Sequence, residues 1–268
     1  MKKIDTATMR KIQLEILDEV HNFCKQNNIQ YSLSGGTLLG AIRHQGYIPW
    51  DDDIDIMMPR PDYDRFLASY SSQLNHVIDL AKLNHCEEMF AKISRKGTAM
   101  IDHSFGRNLY GVNIDLFPIE GCPTTEVANY VSEIIHLKQR ITQVIPYFRI
   151  VSKKRWIWWI KCLLKRLLYW NFQPISKLKK QLNQRVHCFD FNNSELVGAV
   201  LGSYGIKEVM PRTACDRYVD LSFENRKFRA IAGYETYLRN LYGDYMQLPP
   251  IEKRVSHHFY DAYIIDDL

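Results

Sequence analysis

Residues 34–57 read S-G-G-T-L-L-G-A-I-R-H-Q-G-Y-I-P-W-D-D-D-I-D-I-M, a glycine pair followed by a short apolar run and a burst of aspartates. Asp53 and Asp55 alternate with two isoleucines, which is the period of a β-strand, so we expect both carboxylates on one face. Like charges side by side on a strand repel each other unless a cation lies between them. The pattern therefore predicts a cation site.

The ligand atoms and the glycine pair indicate what this site holds. The candidate ligands are all oxygen atoms, which favours Mg²⁺ or Mn²⁺ with coordination positions left for water and substrate phosphates. Gly35 and Gly36 leave the backbone unobstructed, and a helix predicted to begin at Thr37 directs its N-terminal N–H groups toward an anion. A metal beside a glycine turn indicates a nucleotide site.

A third acidic residue lies in G-V-N-I-D-L-F-P, residues 111–118, which read as a strand bounded by glycine and proline. Asp115 is flanked there by apolar residues, and a charge inside an apolar strand is costly unless it is paired or bound to a metal. We interpret Asp115 as the residue that closes the metal site and takes the proton from an attacking hydroxyl. The alternative is a strand carboxylate that is hydrogen-bonded to a neighbouring loop.

Three segments resemble the LicD family of phosphocholine transferases, whose relatives include fukutin and fukutin-related protein: residues 34–56, N-I-D-L-F-P at 113–118 and Y-L-R-N-L-Y-G-D-Y-M-Q-L-P-P at 237–250. That family is similar to nucleotidyltransferases of the DNA polymerase β type. These enzymes have a glycine pair after the first strand, a D-x-D on the next and a later acidic residue. The spacing between Gly36 and Asp53 is longer here, because of an R-H-Q-G-Y-I-P-W loop that the LicD family shares.

The resemblance implies an α+β fold, with a mixed sheet and flanking helices. It also implies metal-dependent transfer of a phospho-alcohol, such as phosphocholine, from a CDP-linked donor to a hydroxyl of a cell-surface glycan or its lipid-linked precursor, with release of CMP. Asp53, Asp55 and Asp115 are then the metal ligands and catalytic residues. The candidates for substrate binding are Gly35, Gly36, Arg43, Trp50, Lys92 and Arg95.

Alternatives to this interpretation exist for several of these residues. An EF-hand loop that starts at Asp51 requires a glycine at its sixth position, where Ile56 stands. The D-x-D of metal-dependent glycosyltransferases also holds a nucleotide, but those enzymes begin with a Rossmann-like strand and this chain begins with a predicted helix. The basic candidates can instead be solvated, and Trp50 can be a core residue. Nucleotidyl transfer and a non-catalytic, nucleotide-sensing subunit docked on a membrane are further alternatives.

Basic residues are concentrated in one segment of a chain whose net charge is +5. Residues 134–189 contain thirteen Lys and Arg and no acidic residue, so the rest of the chain has 22 basic against 30 acidic residues, a net charge of −8. Within this segment, residues 153–170 predict an amphipathic helix with basic residues on one side and tryptophan and leucine on the other. It is typical of a helix in an anionic membrane interface, and packing against the core is the alternative. No motif for nucleic-acid binding accompanies the charge.

Composition and pattern predict how the 268-residue chain is organised. The apolar content of 46% supports a core, and the six cysteines have no C-x-x-C spacing. The N-terminal residues lack the apolar run of a signal peptide, so we expect a cytoplasmic protein, peripheral at the cytoplasmic face of the membrane. We predict a nucleotidyltransferase-like core at 1–122, a helical basic section at 123–190 and a C-terminal cap at 191–268. A hairpin around Glu224-Asn225 and a helix at 234–242 belong to that cap.

Overall fold

The computed structural model describes residues 1–83, 86, 88–102, 107–108, 110–144, 174–255 and 260–265. The amphipathic helix predicted at 153–170 lies outside these residues. The described residues form six α-helices: α1 (Thr6–Gln26), α2 (Gly35–Arg43), α3 (Arg60–Ser69), α4 (Val127–Val144), α5 (Ile175–Val186) and α6 (Tyr234–Tyr242).

The same residues form thirteen strands, most of them three to six residues long. They are β1 (Lys2–Ile4), β2 (Ser32–Leu33), β3 (Asp55–Pro59), β4 (Asn75–Asp79), β5 (Ala91–Arg95), β6 (Thr98–Asp102), β7 (Arg107–Asn108), β8 (Asn113–Cys122), β9 (Leu196–Gly198), β10 (Val209–Pro211), β11 (Tyr218–Phe223), β12 (Arg226–Ile231) and β13 (Tyr260–Ile264).

A mixed seven-stranded sheet forms the centre of the fold. Its main order is β10-β9-β8-β3-β2, and β4 joins it through β5. The strand β8 pairs in parallel with β3 along one edge, and antiparallel with β5 and then β9 along the other. Helices flank this sheet, which confirms the predicted α+β class. A second sheet has the order β1-β13-β6-β7, and β11 and β12 form a separate hairpin.

Several predicted elements are confirmed, and their boundaries reveal three errors. The hairpin turns at Glu224-Asn225, where both residues have positive φ angles, and α6 ends at Gly243, whose φ is 70°. The helix predicted from Thr37 begins instead at Gly35, so the glycines form its first turn.

The other two errors concern strands. The strand β3 begins at Asp55, so Asp53 precedes the strand rather than lying on it. The strand β8 continues through Pro118 to Cys122, because the proline nitrogen, which cannot donate, faces the gap between β5, which pairs as far as Leu116, and β9, which pairs from Glu120. The alternation that motivated the strand prediction is nevertheless visible in the burial, since Ile54 and Ile56 are both fully buried.

The core has a main part and a smaller satellite. The main part packs α1, α2 and α6 against the central sheet and the β11–β12 hairpin. The satellite lies between α4 and α5, in the section that we predicted to be helical and basic. Strands from residues 196–264 complete both larger sheets, and the predicted domain boundaries at 122 and 190 stay predictions.

Three cations of the basic segment serve as structural groups. Lys179 is only 4% exposed and donates hydrogen bonds to the carbonyls of Leu80 and Leu83, both at 2.7 Å. Lys138 donates to the carbonyls of Leu201 and Gly202. Arg185 pairs with Glu133 at 2.6 Å. Part of the positive charge of this segment is therefore engaged in hydrogen bonds and ion pairs within the protein. In the part of the chain that the structure describes, no helix has both the length and the apolar content needed to cross a bilayer.

Candidate active site

Strand pairing places three of the predicted site residues in one row across the central sheet. In the register of β3 and β8, Asp55 lies directly beside Asp115. In the register of β8 and β5, the same Asp115 lies directly beside Lys92. Directly paired residues project to the same face of a sheet. The row Asp55, Asp115, Lys92 therefore presents two carboxylates and one ammonium group to one side.

The first turn of α2 covers the Asp55 end of this row. The N–H of Ser34 donates to the carbonyl of Asp55 at 2.9 Å, and the N–H of Asp55 donates to Thr37 Oγ1 at 2.8 Å. Gly35 has a φ of +49°, and a methyl group added to it would lie 3.2 Å from Asp55 Oδ2. Glycine is required here for its backbone angle and for the close approach of the carboxylate.

A second carboxylate packs against the next glycine. A methyl group added to Gly36 would lie 2.6 Å from Asp51 Oδ2, closer than real contacts of this kind. The first turn of α2 thus lies between Asp51 and Asp55. Because the first N–H groups of a helix have no partner inside the helix, this turn is suited to hold an anion.

The loop that carries the aspartates is fixed from two sides. From α1, Gln13 Nε2 donates to the carbonyl of Asp52 at 3.0 Å, and Arg10 donates to the carbonyl of Asp51. From the hairpin, Glu224 accepts the N–H of Tyr47 at 3.1 Å. The loop shared with the resembled family is therefore held in place by α1 and the β11–β12 turn.

The electrostatics of the site show an excess of negative charge. Burial raises the pKa of Asp55 well above its ordinary value, and the charges of Asp53, Asp115 and Asp51 raise it further, whereas Lys92 lowers it. Several carboxylates with one cation among them have the composition of a site for a hard cation.

The donor set suits Mg²⁺ or Mn²⁺ as a site of two carboxylates. Among the described residues, no group of three or more His, Cys, Asp or Glu surrounds a common point that could hold an ion. Magnesium is usually bound through one or two carboxylates together with water and substrate phosphates, so Asp53 and Asp55, whose charges act on each other, are the residues that would hold it. Asp115 already has a counter-ion in Lys92.

Lys92 lies beside Asp115, and its predicted part in substrate binding stays a prediction. Its Nζ lies 2.5 Å from Asp115 Oδ1 and over the ring of Tyr110. Burial lowers the pKa of Lys92, but the charge and hydrogen bond of Asp115 together with Tyr110 and Glu88 outweigh burial, so the pKa is raised and the group stays charged. Lys92 orients and neutralises Asp115 in this arrangement.

The remaining candidates lie around the site at different distances. Arg95 points to the opposite face of β5 from Lys92 and pairs with Glu15 at 2.9 Å, so the structure does not bring it to the aspartates. Arg43 donates to the carbonyl of Tyr245 at 3.0 Å. Trp50, next to Asp51, carries the guanidinium of Arg254 over its ring at 5.6 Å.

Residues from the C-terminal part complete the site, and sequence reasoning missed them. Tyr237 hydrogen-bonds Ser34 Oγ and Glu208 Oε2, both at 3.0 Å, so it ties α6 to the residue before the glycine pair. Tyr242 and Tyr204 share a hydrogen bond between their hydroxyls at 3.1 Å. The segment 237–250 was noticed as part of a resemblance, but nothing in its spacing indicates these contacts.

A separate cleft lies elsewhere on the molecule. It has a volume of about 690 Å³, and its lining includes Pro59 at the end of β3 and Arg229 of β12. None of the predicted site residues lines it. Since Asp55 begins β3 and Pro59 ends it, this cleft lies at the opposite end of the strand from the aspartates.

Comparison with known proteins identifies the relatives of this chain. Residues 28–146 match the family model described as LicD/FKTN/FKRP, nucleotidyltransferase domain. The chain is 34% identical over 276 residues to lipopolysaccharide cholinephosphotransferase LicD of Haemophilus influenzae, covering 99% of this chain and 100% of that protein. An uncharacterized protein of Rickettsia prowazekii is 48% identical over 63 residues, 23% of this chain and 24% of that one.

Similarity over the full length of a known transferase, with the acidic row in place, defines the chain as a phosphotransferase enzyme. The chain belongs to the LicD family.

Proposed function

We propose that this enzyme transfers phosphocholine, or a similar phospho-alcohol, from a CDP-linked donor to a hydroxyl of lipopolysaccharide or a related cell-surface glycan, and releases CMP. The observation that carries the proposal is the row of Asp55, Asp115 and Lys92 beside the glycine turn of α2. Further support comes from the full-length similarity to a lipopolysaccharide cholinephosphotransferase. We extend the resemblance to the polymerase β type of nucleotidyltransferase fold as part of the same proposal.

In this reaction the acceptor hydroxyl attacks the phosphorus that carries the alcohol. A new oxygen–phosphorus bond forms, the bond to the bridging oxygen breaks, and CMP leaves with the electron pair. Asp115 accepts the proton of the hydroxyl, and Lys92 holds the Asp115 carboxylate in place through its ion pair. The backbone N–H groups of Gly35 and Gly36 bind donor phosphate at the start of α2.

Asp53 and Asp55 would hold a magnesium or manganese ion, which when bound neutralises charge on the pyrophosphate. The charges of Asp53, Asp115 and Asp51 disfavour the ionised form of Asp55. Without a cation, the same charges would repel the donor phosphates. We therefore expect donor affinity, and not only turnover, to depend on the divalent ion.

The place of the reaction is part of the proposal. A lipid-linked acceptor lies at a membrane surface, and we propose that the enzyme works as a peripheral protein on its cytoplasmic face. The concentration of Lys and Arg between residues 134 and 189 supports attraction to an anionic leaflet. No contact with nucleic acid is part of this function.

The test is CMP release from CDP-choline, CDP-ethanolamine, CDP-glycerol and CDP-ribitol with a glycan acceptor, with and without Mg²⁺. We expect turnover with CDP-choline that a chelator removes and added Mg²⁺ restores. Asp53→Asn and Asp55→Asn should each lose at least about 100-fold in turnover while remaining folded. The matched control is Asp216→Asn, because Asp216 is a surface aspartate at the distant cleft. Wild-type turnover by either site variant would overturn the metal assignment.

A further inference from the structure

Two tyrosines from different parts of the C-terminal section meet beside the aspartates. Their ring centroids are 5.5 Å apart, the ring planes are at 81°, and the hydroxyls are 3.1 Å apart. Tyr204 is 42% exposed, and Tyr242 is the last residue of α6. The pair is thus open to solvent on one side and anchored by the helix on the other.

This pair adjoins the phosphate turn. Tyr242 Oη lies 3.9 Å from the position that a methyl group on Gly35 would take, and that position is 3.2 Å from Asp55 Oδ2. The second tyrosine, Tyr204, lies in the electrostatic field of the same acidic side chains. Burial raises the pKa of Tyr204, and the charges of Glu208, Asp55 and Asp51 raise it further, whereas the hydrogen bond shared with Tyr242 lowers it.

We propose that Tyr204 and Tyr242 bind the trimethylammonium group of a choline-bearing donor, an inference that rests on the function proposed above. Ring faces attract a quaternary ammonium ion through their quadrupole, and the attraction grows where solvent is excluded. The carboxylate of Asp51, which is not one of the proposed metal ligands and whose charge acts on Tyr204, adds a favourable field for a group with a permanent positive charge. The tyrosines therefore supply the specificity for the alcohol.

The position agrees with the covalent structure of the donor. A two-carbon link joins the choline nitrogen to the phosphate oxygen, so the ammonium group must lie next to the turn that holds the phosphates. Tyr242 meets this condition through its proximity to Gly35. A planar cytosine ring would stack on only one of two rings that are at 81° to each other, whereas a roughly spherical ammonium group contacts both.

The first experiment measures binding without turnover. Phosphocholine is titrated calorimetrically into the full chain in the presence of Mg²⁺. The comparison ligand is 3,3-dimethylbutyl phosphate, which has the same shape and no positive charge. We expect phosphocholine to bind more tightly. Tyr204→Leu should weaken it about tenfold without changing the neutral analogue, and Tyr204→Phe should keep most of the affinity. Tyr234→Leu, at the other end of α6, is the control for loss of a tyrosine.

Equal affinity for the two phosphates in the wild type, or equal loss of both in Tyr204→Leu, would overturn the inference. A second experiment compares CMP release from CDP-choline and CDP-ethanolamine. In Tyr204→Leu the preference for CDP-choline should fall, whereas a structural defect would slow both donors alike. If the wild type binds phosphocholine selectively but transfers none, the proposed function fails and the ammonium site stands. If it transfers phosphocholine and Tyr204→Leu retains the preference, the ammonium site is wrong.

Discussion

At the scale of single residues, the ion pair between Lys92 and Asp115 decides how the third aspartate acts. The Lys92 side chain is only 10% exposed, and its ammonium group lies 2.5 Å from the Asp115 carboxylate. Two opposite charges that leave water together stabilise the fold only while both are present. Lys92 therefore has a structural and an electrostatic task at once.

We predict that Lys92→Met lowers the free energy of unfolding by about 3 kcal/mol, because Asp115 then keeps a half-buried charge without its partner. The double variant Lys92→Met/Asp115→Asn should recover most of this loss in urea unfolding but should not recover CMP release. Arg95→Met, three residues along the same strand, removes a partly exposed pair with Glu15. It should cost under about 1 kcal/mol and keep the activity. Additive losses in the double variant would contradict the pairing.

A second residue-scale prediction concerns Glu208, which is 4% exposed and accepts a hydrogen bond from Tyr237. Burial raises its pKa from an ordinary value of 4.5 to about 7. Between these values the folded protein holds a proton that the unfolded chain has released. The contribution of Glu208 to stability is therefore complete below pH 4.5 and is lost as the pH rises toward 7.

Glu208→Gln imitates the protonated side chain at every pH. The free energy of unfolding of the variant, relative to the wild type, should increase by about 3 kcal/mol between the two pKa values and stay constant above them. Denaturant unfolding of both proteins at intervals from pH 4 to 8 measures this difference. A difference that does not change with pH would show that Glu208 has no raised pKa.

Single residues also show which parts of the candidate site could be predicted from the sequence alone. Asp55 and Asp115 could be predicted, because charged residues inside apolar strands are rare and need a reason. The part played by Lys92 could not, because only the register of β5 against β8 brings it beside Asp115. Tyr237 is ordinary in its local sequence, and its importance arises from its contact with Ser34, about 200 residues away along the chain. Glu208 is linked to Ser34 only through Tyr237.

At the scale of elements, α2 begins between two carboxylates. In Gly36→Ala the new methyl group would meet Asp51 Oδ2 at 2.6 Å, so the carboxylate must move. We predict that donor binding and CMP release fall at least about tenfold. The free energy of unfolding should change little, since alanine favours a helix by about 1 kcal/mol over glycine.

Gly97→Ala is the matched control for this variant. Gly97 has a φ of +70° and no atom within 4 Å of an added methyl group. Alanine there should cost about 1 to 2 kcal/mol of stability through backbone strain and should leave CMP release unchanged. Calorimetric titration with CDP and urea unfolding separate the two effects. Normal CDP affinity in a folded Gly36→Ala protein would contradict the close packing of Gly36 and Asp51.

Elements were predicted best where a local signal marks both ends. The hairpin has Asn225, a residue type that accepts a positive φ angle, in its turn, and α6 has a glycine at its end. The start of α2 was misplaced because glycines are usually read as a break before a helix. Here the packing of Asp55 on Gly35 and of Asp51 on Gly36 holds both glycines at the start of the helix. Tertiary contact, which has no local signal, decided that boundary.

At the scale of the whole molecule, the uneven charge predicts behaviour at membranes. Of the thirteen cations at 134–189, Lys138, Lys179 and Arg185 are held by internal hydrogen bonds or ion pairs. Attraction to anionic lipid, about 1 kcal/mol for each nearby cation, must come from the others. The apolar residues at 153–170 would add a part that salt does not screen.

We predict that the protein sediments with anionic vesicles at low salt, and that this binding weakens but persists as salt increases. Replacement of Trp156, Trp159 and Leu163 by serine should remove the part of the vesicle binding that persists at high salt. Replacement of Lys179 is not a suitable control because it would disturb the packing of α5. Vesicles of neutral lipid provide the control, and they should bind only the persistent part. Failure of the wild type to sediment with anionic vesicles at low salt would refute the interfacial helix.

The pairing of β13 with both β1 and β6 has a consequence for synthesis of the protein on the ribosome. The strands β1 and β6 are synthesised before their partner β13, which emerges last among the described elements. Ser34 is likewise synthesised long before its partner Tyr237. Until then the nascent chain exposes unpaired strand edges and an incomplete catalytic centre, a condition that slows folding and invites aggregation. We expect the newly made chain to depend on chaperones until the residues of β13 have been released.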